Sequence, residues 1–142
     1  MAEVKAAGAI VYFQEGKHTL FLLLRSASHG GWGAPKGHAE PGETELETAA
    51  RELFEEAGLR LATFTPHFRE TITYNVEKEK QGKTCAKEVV YFLCKIDSDQ
   101  IRLSDEHSEA HFATLDEVEV MVTHEEMKEI FRKAHEFIRK GE

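Results

Sequence analysis

Two apolar runs near the N-terminus constrain the fold more than any other feature of the chain. Ala6–Phe13 and Thr19–Arg25 are almost unbroken hydrophobic segments, separated by the turn residues Gln14-Glu15-Gly16-Lys17. A half-buried strand alternates apolar and polar residues. A strand that is apolar at nearly every position is covered on both faces. The pair therefore predicts two joined strands in a sheet that lies between layers of helix. Ser26–Pro35 reads as a loop, because Gly30, Gly31, Gly33 and Pro35 interrupt regular structure. Arg69–Val76 and Glu88–Ile96 read as two more strands and Ala110–Ala113 as a short one. The charged stretch Glu77–Lys87 reads as an exposed, mobile connection.

Helical periodicity marks two further segments. Over Thr44–Ala57 the residues Leu46, Ala49, Ala50, Leu53, Phe54 and Ala57 share one arc, and Gly58 supplies the stop. Thr114 and Thr123 each precede a glutamate by three residues, the capping-box spacing. The second box predicts a helix with Met127, Ile130, Phe131, Ala134, Phe137 and Ile138 on one stripe. The fold class is α/β (or α+β), a mixed sheet covered by helices. At 142 residues the chain has the length of a single domain, spanning 1–142.

Composition excludes several roles. Eighteen basic against 26 acidic residues leave a net charge of −8. A surface of that sign suits neither a long nucleic acid nor an anionic membrane. Met1–Ala9 lacks the basic and apolar regions of a signal peptide, and apolar runs such as Leu20–Leu24 are far too short to span a bilayer. Cys85 and Cys94 lack metal-binding spacing and read as reduced thiols of a cytoplasmic protein.

The acid excess is concentrated. Between Lys36 and Leu59, two basic residues face seven glutamates, which accounts for −5 of the −8. Glu52, Glu55 and Glu56 stand at i, i+3 and i+4, on one helix face and roughly opposite the apolar arc. Such like charges repel unless a hard divalent cation sits among them. Oxygen ligands of this kind suit Mg²⁺ or Mn²⁺, which retain waters and share their shell with substrate phosphates. Gly37 precedes a tight loop closed by Pro41-Gly42, where a backbone carbonyl can face the same ion. Arg51 can pair with Glu43 and tie that loop to the helix, which Gly58 ends.

The pattern G-x5-E-x7-R-E-U-x-E-E-x-G-U (U, a bulky aliphatic residue) runs from Gly37 to Leu59 at every defined position. It resembles the signature of the Nudix hydrolases. That resemblance implies a mixed sheet in an α/β/α sandwich and metal-dependent hydrolysis of a nucleoside diphosphate linked to a further group. It implies metal ligation by Gly37, Glu52, Glu55 and Glu56, and structural roles for Glu43, Arg51 and Gly58. From residue 6 to about 120 the chain resembles one branch, the asymmetrical diadenosine tetraphosphate hydrolases. The features are Ala6-Ala7-Gly8, Phe21–Leu24, Trp32–Gly42, Tyr74, Tyr91-Phe92-Leu93 and Leu103–His107. The branch implies Glu52, Glu56 and Glu106 as catalytic carboxylates, Glu106 also as a metal ligand. In the branch the lysine of the charged connection, here Lys83 or Lys87, contacts phosphate, and Tyr74 and Tyr91 contact the dinucleotide, one of them stacked on adenine; Lys36, just before Gly37, and His38, inside the phosphate loop, are placed to contact phosphate too. The sequence departs from the branch at Ala110 and Phe112, where an aromatic and a tryptophan are expected, and in the longer, more charged segment Glu77–Thr84. The expected partner is a small dinucleoside polyphosphate acted on by a monomer. Alternatives are an RNA 5′-pyrophosphohydrolase, a hydrolase of another nucleoside diphosphate linked to a further group, or a non-catalytic nucleotide sensor. The presence of all three carboxylates argues against the sensor.

Overall fold

The computed structural model describes residues 3–60, 63–78 and 83–141. Strand β1 (Glu3–Glu15) runs through the middle of a seven-stranded mixed sheet. On one side it pairs in parallel with β6 (Lys83–Ile96), from Glu3 opposite Ala86 to Phe13 opposite Ile96. Strand β5 (Thr63–Lys78) lies antiparallel beyond β6. On the other side of β1 the partner changes. Ala6–Gly8 pair with the short β4 (Lys36–His38), whereas Tyr12–Glu15 pair with β2 (His18–Ser26). Between them the Ala9 amide donates to the Pro35 carbonyl at 3.0 Å. The sheet edge is therefore split. Strand β2 continues to the two-residue β3 (Trp32–Gly33) and to β7 (His107–Ala113).

Both faces of the sheet are covered, as the apolar runs predict. Ala9 and Val11 of β1 join Leu22, Leu24, Cys94 and Ile96 against Leu53 and Ala57 of helix α1 (Glu45–Ala57). The alternate residues Ile10 and Tyr12 join Phe21 and Leu23 on the opposite face. That face packs on Val118 of α2 (Leu115–Met121) and on Met127, Ile130, Phe131 and Ala134 of α3 (Glu125–Arg139). The Arg132 guanidinium braces the two helices, with Nε 2.6 Å from Glu119.

Several expectations from the sequence need correction. The connection Glu77–Lys87 is largely strand: Tyr74 stands opposite Lys87 and Lys78 opposite Lys83. Ladder hydrogen bonds extend this hairpin without the apolar alternation that would reveal it in a sequence. The loop after β2 contains β3. The cap of α3 is His124, not Thr123: its Nδ1 accepts from the Met127 amide at 3.4 Å. Thr114 does form a complete capping box, on α2. The buried stripe of α1 is also displaced. Leu46 is 44% exposed and Ala50 is exposed, whereas Thr48 and Glu56 are buried beside Ala49, Leu53 and Ala57. The carboxylate face of α1 thus borders its packed face rather than opposing it.

Gly58 ends α1 in the left-handed region, φ 74°, its amide bonded to the Phe54 carbonyl at 2.8 Å. A Cβ there would approach the Cβ of Arg102 to 3.0 Å. Gly58→Ala should destabilise the protein by about 1–2 kcal/mol. The expected reading is a thermal midpoint lowered by several degrees; an unchanged midpoint would contradict the strain argument.

Candidate active site

The site begins with a loop tied to a helix. Arg51, on α1, grips Glu43 with two nitrogens, Nε at 2.6 Å and Nη2 at 3.0 Å. The same Nη2 donates to the His38 carbonyl at 2.9 Å, and Nη1 reaches Glu52 at 3.1 Å and Glu55 at 3.0 Å. Glu43 also accepts from the Glu40 amide and the Thr48 hydroxyl, both at 2.9 Å. The Arg51 guanidinium, first among these partners, draws the Glu43 carboxyl down to about 2. One cation thus binds the loop, the strand end and the helix together.

Two carboxylates meet behind this lock. Gly37 packs directly on the Glu52 side chain, and any Cβ at position 37 would overlap that carboxylate. Glu56 is 5% exposed, and its Oε1 accepts from the Lys36 amide at 3.3 Å. Burial, then hydrogen bonding and repulsion from Glu52, then the charge of Glu106, push the Glu56 carboxyl well above the usual range. The Arg102 amide bonds the Ala57 carbonyl at 2.9 Å and the Ser104 amide bonds that of Glu56 at 3.3 Å. These bonds draw the segment before β7 across the end of α1 and bring Glu106 to the same opening. The Glu106 carbonyl in turn accepts from the Ala27 amide at 2.9 Å. His107 Nε2 lies 3.8 Å from Glu56, and its Nδ1 is buried with no hydrogen-bond partner. Burial lowers the imidazole's proton affinity.

These groups line a cleft of about 1000 Å³ at the split edge of the sheet. The structure brings Lys36, Gly37, His38, Glu52, Glu56, Lys87, Tyr91 and Glu106 to it. Lys36 and Lys87 both face the opening, and burial, then the Lys36 charge, depress the Lys87 ammonium. Glu55 stands apart, 52% exposed and turned to Arg51. Tyr91 is 1% exposed and belongs to the core against α2 and α3, so its ring offers no open face for stacking. The backbone of Tyr74 and Lys83 lies in the β5–β6 hairpin, and their side chains lie outside the described residues. Trp32 and His107 also line the cleft, and the sequence reading assigned them no role. For Trp32 the available signal was a lone indole set among glycines just before the phosphate-loop lysine.

Among the described residues, no group of three His, Cys, Asp or Glu side chains is placed to hold an ion unaided. Paired, poorly neutralised carboxylates at a glycine cradle still fit a hard divalent cation that completes its shell with water and phosphate. Glu52 and Glu56 would hold it, with Glu106 within reach.

A family model for the NUDIX domain matches residues 3–134. The chain belongs to the Nudix hydrolase family. It is 35% identical to the asymmetrical bis(5′-nucleosyl)-tetraphosphatase of Rattus norvegicus, over 95% of each chain. The crystal structure of a C. elegans Ap4A hydrolase binary complex matches with a TM-score of 0.87 and 33% identity, covering 96% of this chain and 98% of that one. An RNA pyrophosphohydrolase of Sulfurovum sp. is 31% identical over 88% of this chain and 85% of its own. This Nudix chain is thus a pyrophosphohydrolase by family, and it is similar to asymmetrical Ap4A hydrolases in sequence and fold.

The elevated Glu56 group makes stability depend on pH in a definite direction. Without a cation, its contribution is fully present below the unfolded carboxylate pKa, about 4.3, and is lost progressively as the pH rises from there to its folded value of about 9. Glu56→Gln should therefore raise the thermal midpoint of the metal-free protein at pH 8 by about a few degrees. The gain should vanish near pH 4. Equal midpoints at pH 8 would show that folding does not raise the proton affinity of this carboxyl.

Proposed function

We propose that this Nudix hydrolase cleaves dinucleoside tetraphosphates, diadenosine tetraphosphate above all, into ATP and AMP with Mg²⁺ or Mn²⁺. The carrying observation is the Glu52–Glu56 carboxylate pair at the Gly37 cradle, faced across one cleft by Lys36 and Lys87. The Rattus norvegicus and C. elegans relatives supply the substrate class. Lys36 and Lys87 would hold the polyphosphate as point charges. Glu52 and Glu56 would bind the cation, and Glu106 would add a further oxygen. When bound, a divalent cation neutralises and polarises the phosphoryl oxygens and makes a water nucleophilic at neutral pH. A carboxylate of the Glu52, Glu56 and Glu106 group would take the proton from the attacking water. His38 at the rim of the phosphate loop, and Lys83 and Tyr74 on the β5–β6 hairpin, would complete the substrate contacts.

The substrate would be free in the cytoplasm and the enzyme a single-domain monomer. A net charge of −8 disfavours a long nucleic acid footprint, and no described helix is long and apolar enough to cross a membrane. Similarity to the Sulfurovum enzyme supports a second reading, removal of pyrophosphate from an RNA 5′ end, which also presents a chain of phosphoanhydride-linked phosphates.

A substrate panel separates the two. With Mg²⁺, diadenosine tetraphosphate should give ATP plus AMP faster than ADP-ribose, NADH, oxidised dGTP or triphosphorylated RNA release products. Faster turnover of the RNA end would install the second reading. EDTA should abolish turnover, and excess Mg²⁺ should restore it. Glu56→Gln should lower kcat roughly 100-fold or more, because an amide is a poor ligand for a hard cation. Near-normal turnover would remove Glu56 from the site.

A further inference from the structure

A nucleotide needs a flat apolar surface for its base as well as cations for its phosphates. The inner part of this cleft is charged, so the base must rest elsewhere. Among the described residues lining it, the aromatic side chains are Trp32, Tyr91 and the imidazoles of His29, His38 and His107. Tyr91 is 1% exposed, and the His107 side chain is 15% exposed against Glu56. Positions 110 and 112, where the resemblance leads one to expect aromatics, do not help. Ala110 has no ring, and Phe112 packs on Phe13 at 6.0 Å, in the cluster under α1. Trp32 is half-buried, so part of its indole is open to the cleft.

Its surroundings hold the ring in place. Strand pairing sets Trp32 opposite Arg25. The Arg25 guanidinium carbon lies 5.9 Å from the indole centroid, and Arg25 is itself fixed by Glu109 at 2.7 Å and the Gly30 carbonyl at 3.1 Å. His111 meets the ring edge-on at 6.3 Å. An aromatic platform that is already ordered loses little freedom on binding. Lys36 lies four positions along the chain from Trp32, at most about 14 Å of extended chain. One bound nucleotide can therefore touch both.

We propose that Trp32 is the stacking platform for a nucleobase in this cleft, braced by Arg25 and His111. The inference rests on the reading above that the substrate joins a base to a polyphosphate. Trp32 is the chain's single tryptophan, so its emission reports the site directly. In the full-length protein, excited at long wavelength to avoid adenine absorption, AMP should quench or shift that emission. Ribose 5-phosphate and pyrophosphate should not. Trp32→Ala should raise KM for diadenosine tetraphosphate about tenfold, the scale of a lost base–aromatic stack. KM for inorganic tetraphosphate should rise less than twofold, and Trp32→Phe should recover most of the loss. Equal KM changes for both substrates would overturn the assignment, as would emission blind to AMP. If Trp32→Ala fails to fold, the wild-type emission and Trp32→Phe still decide. If the protein cleaves no dinucleotide, the proposed substrate falls, while the AMP titration still tests Trp32.

Discussion

The Arg51 guanidinium is the interaction on which the site depends. Seven glutamates crowd the stretch from residue 36 to 59, and without an internal cation the loop and helix would repel. Arg51 answers Glu43, Glu52 and Glu55 at once and also holds the His38 carbonyl. Because it is planar and forked, it fixes directions as well as charge. It fully compensates Glu43, which is structural. Glu56 lies beyond its reach, so its carboxyl has no cation of the protein to offset ionisation and holds its proton instead. The lock thus sorts the acids into those that hold the fold and those left for a cation.

The split edge of β1 turns that lock into a cleft. Had one long strand paired along the whole edge, Lys36 and Gly37 would have no opening to face. Because β4 takes the first part and β2 the second, backbone hydrogen bonding is satisfied on both sides of a gap. Two chain connections then close around it. Bonds from Arg102 and Ser104 to the end of α1 bring in Glu106, and the Ala27–Glu106 bond anchors the loop that leads to Trp32. Nothing in this arrangement needs a large rigid active-site domain; a few backbone hydrogen bonds position the carboxylates.

Function and stability pull against each other at Glu56. A side chain 5% exposed, beside Glu52 and within the field of Glu106, is a poor place for a negative charge. The fold tolerates it because Leu53 and Ala57 on the same helix are fully buried in the core and carry the packing. This strain is also what makes the position receptive to a cation.

The sequence by itself determined the class of fold, the position of α1 and the membership of the acid cluster. Apolar runs, helical periodicity and the spacing of Gly37, Glu43, Arg51 and the three glutamates are local properties, and local physics reads them. Tertiary structure decided which of those residues meet. The displaced stripe of α1 put Glu56 inside and left Glu55 on the surface, because the neighbouring strands select the packed face and the helix alone cannot. Packing against α2 and α3 buried Tyr91, and strand register presented Trp32. The β5–β6 hairpin carries through a charged segment because its stability comes from a partner strand, which no one-dimensional pattern records.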